Sequence, residues 1–142
     1  MKQVTLYCDG SSLGNPGPGG WCGILSFREH QKILCGGESH TTNNRMELLA
    51  VIESLKILKE PCQVMLYSDS KYVCEGINQW LVNWIKKDFK NVKNPDLWRH
   101  YCDCSKSHQV IAHWVKGHAG NAQNELCDKL AREQAYRYAQ GI

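Results

Sequence analysis

The sequence lacks the features that mark several large classes of protein. No run of 18 consecutive apolar residues occurs in the 142-residue chain, so no transmembrane helix is predicted. The N-terminal segment lacks the apolar stretch of a signal peptide and leads directly into a predicted strand. Repeats and low-complexity tracts are also missing. These absences favour a single domain over residues 1–142, located in the cytoplasm.

Two nucleotide-binding motifs are missing as well. No G-x₄-G-K-[ST] segment is present, which excludes a P-loop. The Gly/Pro-rich loop at 14–20 contains Gly17-x-Gly19 but lacks the third glycine of a dinucleotide-binding fingerprint. We interpret this loop as a turn, or as a surface that approaches the backbone of a ligand.

Cysteine, by contrast, is abundant. The chain has eight cysteines but no C-x₂-C pair. Most lie within apolar runs, where a free thiol packs as a small hydrophobe, so we predict that they fill the core in a reducing compartment. The weaker alternative is a metal site built from Cys102, Cys104, His100 and His108.

The order of predicted elements is three strands, a helix, a strand, three helices, a strand and a last helix. The first three strands, about 3–9, 21–28 and 32–39, are joined by short connections and should form an antiparallel meander. Two more strands, about 63–68 and 109–115, are reached through helices, which favours parallel pairing. The sequence thus predicts an α/β protein with a mixed five-stranded sheet flanked by helices.

Two of these strands end in the same way. Residues 5–9 read T-L-Y-C-D and residues 65–69 read M-L-Y-S-D. If the two strands are parallel neighbours, Asp9 and Asp69 lie side by side, about 5 Å apart, and repel each other. Mg²⁺ would remove this conflict, since it accepts carboxylate oxygens and keeps waters for a phosphate. The pattern predicts a metal site for phosphoryl transfer.

Other chemically active residues carry weaker signals. Glu47 lies at the edge of a helix's apolar stripe, where an acid is costly unless it is paired or bound to metal. Glu125 and Asp128 come early in the last helix, where acids also favour the helix dipole. His118 lies between glycines and suits proton transfer near neutral pH. Considered singly, each is better explained as a boundary, capping or surface residue.

Aromatic and basic residues are concentrated between positions 80 and 98. Trp80 and Trp84 precede Lys86, Lys87, Lys90 and Lys93 in a stretch that we call the tryptophan-lysine segment, and this combination suits a nucleic-acid backbone. Alternatively, the tryptophans bury a helix and the lysines form a solvated face. The net charge of +3 is compatible with nucleic acid but not diagnostic of it.

Four stretches together resemble type 1 ribonuclease H, in the order found in that family. They are D-G-S-S-L-G-N-P-G-P-G-G at 9–20, T-T-N-N-R-M-E-L at 41–48, S-D-S-K-Y-V at 68–73, and W-V-K-G-H-A-G followed by N-E-x-x-D-x-L-A at 114–131. The resemblance implies a ribonuclease H-like fold and an endonuclease that hydrolyses the RNA strand of RNA–DNA hybrids, leaving 5′-phosphate and 3′-hydroxyl ends. It implies one or two Mg²⁺ ions as cofactor, with Mn²⁺ as an alternative. Hybrid is the expected partner of a monomer without an obligate protein partner.

The resemblance also implies roles for individual residues. The catalytic set is Asp9, Glu47, Asp69, His118 and Asp128; the metal-binding acids are Asp9, Glu47, Asp69, Asp128 and the accessory Glu125. The hybrid-binding residues are Asn15, Thr42, Asn43, Asn44, Arg45, Lys71, Trp80, Trp84, Lys86, Lys87 and Lys90. Lys71 replaces a glutamine found in many members of the family. The lysine segment is short and contains Asp88, which predicts weaker and more salt-sensitive binding.

Two other functions are compatible with part of the pattern. A different carboxylate-metal nuclease of the same fold, such as a recombinase or junction resolvase, would share the acids but lack the T-T-N-N-R helix start and the tryptophan-lysine segment. A non-catalytic hybrid-binding module should have lost at least one of the four metal acids, and all four are present. An assay of hybrid cleavage with and without Mg²⁺ separates these alternatives.

Overall fold

Five strands form one sheet in the computed structural model, which describes residues 1–116 and 121–141. The strands are β1 (Lys2–Ser12), β2 (Gly17–Phe27), β3 (His30–Thr41), β4 (Cys62–Ser68) and β5 (Gln109–Trp114), in the order β3-β2-β1-β4-β5. The pairs β1–β2 and β2–β3 are antiparallel, and the pairs β1–β4 and β4–β5 are parallel. The predicted mixed sheet is therefore confirmed.

The helices connect and flank these strands. They are α1 (Asn43–Lys56), α2 (Lys71–Glu75), a π-helical turn (Gly76–Trp80), α3 (Leu81–Lys86), α4 (Pro95–Ser105) and α5 (Ala122–Ala139). The sequence predicts two separate helices between 70 and 86, whereas the structure joins them through the π-helical turn. A Cβ on Gly76 would lie 2.6 Å from the ring of Trp98, so the missing side chain lets this helical stretch pass directly over that tryptophan.

The larger core lies between the sheet and α1. The strand residues Val4, Leu6 and Cys8 point to this side and are buried. The predicted apolar stripe of α1 is buried against them, with Leu48, Val51, Ile52 and Leu55 all at most 2% exposed. This packing fixes the rotation of α1 and turns the adjacent Glu47 towards the sheet.

The smaller core lies under α5, on the opposite face. The spacing of Leu126, Leu130 and Ala131 predicts the apolar stripe of this helix, and all three pack against this core, although Cys127, Ala131 and Ala135 are fully buried and the two leucines are half-buried. The reason is a close approach of α5 to β2: a Cβ on Gly20 would lie 2.6 Å from the backbone nitrogen of Ala135. Only small residues fit between two backbones at this separation.

The cysteines pack as predicted. Cys8, Cys22, Cys62, Cys74 and Cys127 are buried and the other three are partly exposed, all as free thiols. The alternative metal site is not formed, because the described residues Cys102, Cys104, His100 and His108 do not come together as a group of candidate ligands. His108 Nδ1 instead accepts a hydrogen bond from the backbone N–H of Cys62 at 3.0 Å. None of the helices in the described part of the chain is long and apolar enough to cross a membrane.

Candidate active site

The parallel pairing of β1 with β4 brings Asp9 next to Asp69. The register pairs Leu6 with Leu66 and Tyr7 with Tyr67, so the next residues of both strands run to the same edge of the sheet. Asp9 lies within β1 and Asp69 directly follows β4. Glu47 reaches the same edge from the first turns of α1.

The three acids form a compact cluster. Asp9, Glu47 and Asp69 each offer one carboxylate oxygen, and these oxygens all lie within 4.8 Å of one another. Asp9 is only 6% exposed and Glu47 only 7% exposed. The backbone N–H of Gly10 donates to Asp9 Oδ1 at 2.9 Å, which orients that carboxylate. The cluster is the only such group of three or more candidate metal ligands among residues 1–116 and 121–141.

Negative charge is strongly disfavoured in this cluster. Burial, followed by the Asp69 carboxylate, raises the pKa of Asp9 to about 7. Burial, with Asp9 and Asp69 adding to it, raises the pKa of Glu47 well above its usual range. In addition, Glu47 Oε2 is buried without a hydrogen-bond partner. A divalent cation would satisfy this oxygen and favour the ionised form of all three acids, so the residues present fit such an ion.

The remaining predicted acids belong to α5. The Asp128 carboxylate contributes to the raised pKa of Asp9, which places its charge near the cluster. Its Oδ2 also accepts from Arg132 Nη2 at 2.8 Å. Glu125 is exposed in the first turn of α5, one turn before Asp128. His118 lies outside the described residues, and its catalytic role stays a prediction, as do the metal-binding roles of Asp128 and Glu125.

The start of α1 carries four of the predicted hybrid-binding residues, Thr42, Asn43, Asn44 and Arg45. The Thr42 hydroxyl caps the helix by accepting from the backbone N–H of Arg45 at 3.3 Å. Asn15 Oδ1 accepts from the backbone N–H of Asn43 at 2.9 Å, and Asn43 Oδ1 accepts from that of Ser12 at 2.8 Å. Because both amide oxygens are occupied, Asn15 and Asn43 offer a ligand their NH₂ groups.

A groove of about 290 Å³ connects this region with the acids. Its lining consists of Asn43, Asn44, Glu47, Asp69, Ser70, Lys71 and Tyr72. Three predicted hybrid-binding residues therefore share one surface depression with two residues of the acid cluster. A polynucleotide lying in the groove would present its backbone to both sets of side chains.

Arg45 has a partner that the sequence did not reveal. Its guanidinium donates two hydrogen bonds to the Asp96 carboxylate, at 3.1 and 3.0 Å, and one to Asn94 Oδ1 at 3.2 Å. This pairing raises the pKa of Arg45 and lowers that of Asp96. No sequence pattern connects positions so far apart in the chain. The predicted contact of Arg45 with the hybrid backbone stays a prediction.

The sequence leaves two alternatives for the tryptophan-lysine segment: a surface for nucleic acid, or tryptophans that bury a helix beside solvated lysines. The structure shows features of both. Trp84 packs edge-on against Trp98 with ring centroids 5.0 Å apart, whereas Trp80 is 47% exposed. The loop after α3 is anchored by the buried Phe89 and by Arg99, which donates to the backbone oxygen of Asp88 at 3.1 Å. The exposed lysines of this segment are Lys93 and the three predicted to bind hybrid, Lys86, Lys87 and Lys90.

The fold and the acid cluster together define a class: an α/β enzyme with a carboxylate site for a divalent cation. Within this class, the family model described as RNase H matches residues 1–136, and the chain belongs to the ribonuclease H family. This family depends on divalent metal ions, which agrees with the acid cluster. The resemblance predicted from the four motifs is thus confirmed.

Individual relatives agree with this assignment. Ribonuclease H of Helicobacter acinonychis is 56% identical over 138 residues, covering 97% of this chain and 96% of the relative. Ribonuclease H of Campylobacter concisus is 59% identical over 137 residues, covering 96% of this chain and 95% of the relative. Among solved structures, LC9-RNase H1, described as a type 1 RNase H with the type 2 active-site motif, superposes with a TM-score of 0.88 at 30% identity, covering 97% of this chain and 74% of that one.

Proposed function

We propose that this protein is an endonuclease that hydrolyses the RNA strand of RNA–DNA hybrids and leaves 5′-phosphate and 3′-hydroxyl ends. The observation that carries the proposal is the buried cluster of Asp9, Glu47 and Asp69 in a chain of the ribonuclease H family. The relatives named ribonuclease H, at 56% and 59% identity over nearly the whole chain, support it.

The proposed cofactor is Mg²⁺, as one or two ions, with Mn²⁺ as an alternative. Asp9, Glu47 and Asp69 would hold it, Asp128 would be the fourth ligand, and Glu125 would assist. When bound, the cation would activate a water and neutralise charge on the phosphate that is cleaved. The unpartnered Oε2 of Glu47 supports this choice, because a buried carboxylate oxygen without a donor is a preferred ligand of a hard cation.

The surrounding residues would select and orient the hybrid. Asn15, Asn43 and Asn44 would donate amide N–H groups to the 2′-hydroxyl and base acceptors of a wide, shallow minor groove. Thr42 and Arg45 would lie along the backbone of the DNA strand. Lys71 would contact the substrate beside the acids. His118 would transfer a proton or assist product release.

The tryptophan-lysine segment would hold the DNA strand. The exposed Trp80 and the partly buried Trp84 would flank the sugar-phosphate backbone, and Lys86, Lys87 and Lys90 would neutralise its phosphates. Because only a few lysines are present, binding should be weak. The slope of log K against log salt grows with the number of phosphate contacts, so, contrary to the expectation from the sequence, this segment should add only a small salt dependence. The five strands form one sheet with helices packed on it, which supports a single domain over 1–142, and the protein is proposed to act as a monomer. A cytoplasmic location is proposed from the eight free thiols, which suit a reducing compartment.

Cleavage of a labelled RNA strand tests the proposal. Wild type is expected to cleave RNA in a hybrid with Mg²⁺, to lose activity in EDTA, and to leave double-stranded DNA and RNA largely intact. Asp69→Asn should lower the rate about 100-fold or more, because a charged ligand next to the reacting phosphate is lost. Asp103→Asn, which changes an exposed acid of α4, is the matched control. Cleavage by Asp69→Asn at the wild-type rate would overturn the assigned mechanism.

A further inference from the structure

Trp114 is a large exposed residue at the catalytic edge of the sheet. It is the last residue of β5 and pairs with Ser68, the last residue of β4. Its side chain is 47% exposed, although it lies next to the acid cluster. Exposure of this much indole surface is costly, and the proposed metal and hybrid contacts give Trp114 no role.

The indole N–H of Trp114 is bonded to the backbone of a cluster acid. Trp114 Nε1 donates to the backbone oxygen of Asp69 at 3.0 Å. The regular β4–β5 register ends at Ser68, and Val115 N–H donates to the Ser68 oxygen at 2.9 Å. The indole N–H thus continues the hydrogen bonding between β4 and β5 by one residue beyond the end of β4. It thereby fixes the backbone of Asp69.

Hydrogen bonds of Ser70 also fix the backbone on the C-terminal side of Asp69. The backbone N–H of Ser70 donates to the Ser68 hydroxyl at 3.1 Å, and the Ser70 hydroxyl caps α2 by accepting from the N–H of Val73 at 3.1 Å. Asp69 therefore lies between a helix cap and the Trp114 indole. Loss of the indole bond would release one of these two constraints on its backbone.

The face of the same indole carries a cation. Lys71 Nζ lies 5.0 Å from the centroid of the Trp114 ring, within the range of a cation–π interaction. Lys71 also lines the groove that contains Glu47 and Asp69, and it borders a second hollow with Trp114. An exposed lysine usually samples many rotamers, and a contact with an aromatic face restricts it. The ammonium is thus held beside the acids, where a phosphate of a bound polynucleotide would lie.

We propose that Trp114 is a positioning residue with two effects: its N–H fixes the backbone of Asp69, and its ring holds Lys71 so that the ammonium binds a backbone phosphate next to the one that is cleaved. The inference rests on the proposed function, because it assumes that the groove takes an RNA–DNA hybrid. It adds to that function a phosphate contact for Lys71 and a residue that positions both a metal-binding acid and a substrate-binding cation.

The lysine contact is tested by hybrid binding in EDTA, measured by fluorescence anisotropy over a range of salt concentrations. Lys71→Gln should reduce the slope of log K against log salt by roughly 0.7–0.9, as expected for the loss of one phosphate contact. Lys59→Gln, an exposed lysine at the opposite end of the sheet, should leave the slope unchanged. An unchanged slope in Lys71→Gln would overturn the phosphate assignment.

The role of the ring is tested by a double-mutant cycle. Lys71→Gln should weaken hybrid binding in the wild-type background but have a smaller effect in Trp114→Leu, because the lysine is then no longer held. Trp114→Phe retains an aromatic face and should preserve the effect of Lys71→Gln. Equal effects of Lys71→Gln in all three backgrounds would show that the ring does not position the lysine.

The role of the N–H is tested without substrate. Thermal unfolding is followed as Mg²⁺ is added. The Mg²⁺ concentration that gives half of the full stabilisation is then compared between wild type and each variant. Trp114→Phe, which lacks the N–H, should raise this concentration several-fold, whereas Lys71→Gln should not raise it. A wild-type midpoint in Trp114→Phe would overturn this half of the inference. A wild type that binds metal but cleaves no hybrid would instead overturn the proposed function and leave these Trp114 effects measurable.

Discussion

Gly10 and Glu47 lie backbone against backbone where β1 meets the first turns of α1. A Cβ on Gly10 would lie 2.6 Å from the carbonyl carbon of Met46 and would also collide with the backbone nitrogen of Glu47. Gly10 directly follows Asp9 and donates its N–H to that carboxylate. The absent side chain therefore lets two acids from different elements meet at the sheet edge.

Substitution of Gly10 by alanine should damage both the fold and the metal site. The new methyl group would push α1 away from β1, at a cost of about 1–3 kcal/mol in the free energy of unfolding. It would also separate Glu47 from Asp9, so Mg²⁺ should stabilise the variant less than wild type. Urea unfolding with and without Mg²⁺ measures both effects, with Ser39→Ala on the exposed part of β3 as control. Equal stabilisation by Mg²⁺ in Gly10→Ala and wild type would contradict this account.

The raised pKa of Asp9 predicts how the metal-free protein responds to pH. The pKa is about 7 in the folded state and 3.8 for an ordinary aspartate. Between these values the folded protein binds more protons than the unfolded chain, so the free energy of unfolding falls as pH rises. The loss of stability that Asp9 causes should be complete above about pH 7 and reach at most about 4 kcal/mol, and Glu47, whose pKa is also raised, adds to the total loss. Chemical unfolding in EDTA from about pH 4 to pH 8 measures this loss.

Asp9→Asn should remove much of this pH dependence. The neutral amide keeps an oxygen that can accept from the N–H of Gly10 but carries no charge into the buried cluster. In EDTA at pH 8 the variant should therefore be more stable than wild type, while Mg²⁺ should stabilise only wild type strongly. A variant less stable than wild type under these conditions would show that charge burial at Asp9 is not costly.

The positions of Asp9 and Asp69 could be predicted from the sequence because they depend on local patterns. Both aspartates end similar apolar runs, and parallel strands bring such ends together whatever the rest of the chain does. The inward rotation of Glu47 likewise follows from the helical spacing of its apolar neighbours. These residues could be placed without any knowledge of side-chain packing between helices.

Other features depend on contacts that no local pattern encodes. The hydrogen bonds of Arg45 to Asp96 and of Trp114 to Asp69 join residues 51 and 45 positions apart. The apolar stripe of α5 was predicted correctly, but not that the close approach at Gly20 buries its small residues more deeply than its leucines. Hydrophobic periodicity reports which face is apolar, but not how near the neighbouring backbone lies.

Two glutamates of α1 provide a matched test of metal binding. Glu47 is buried in the acid cluster, whereas Glu53 is partly exposed and pairs with Lys56 at 3.5 Å. Wild type should gain about 2.7 kcal/mol of stability at a Mg²⁺ concentration 100 times its dissociation constant. Glu47→Gln should lose most of this gain and Glu53→Gln should keep it, as measured by unfolding with and without Mg²⁺. A full gain in Glu47→Gln would exclude that residue as a ligand.

Trp84 should contribute to the stability of the fold and Trp80 to hybrid binding, although both lie on the same helical stretch. Trp84→Ala removes the edge-on contact with Trp98 and should lower the free energy of unfolding by roughly 2–4 kcal/mol. Trp80→Ala changes a side chain that is 47% exposed, so stability should change by no more than about 0.5 kcal/mol. Hybrid binding in EDTA should nevertheless weaken in Trp80→Ala, because the exposed ring is the surface offered to the DNA strand. Unaltered binding would restrict the DNA contact to Trp84 and the lysines.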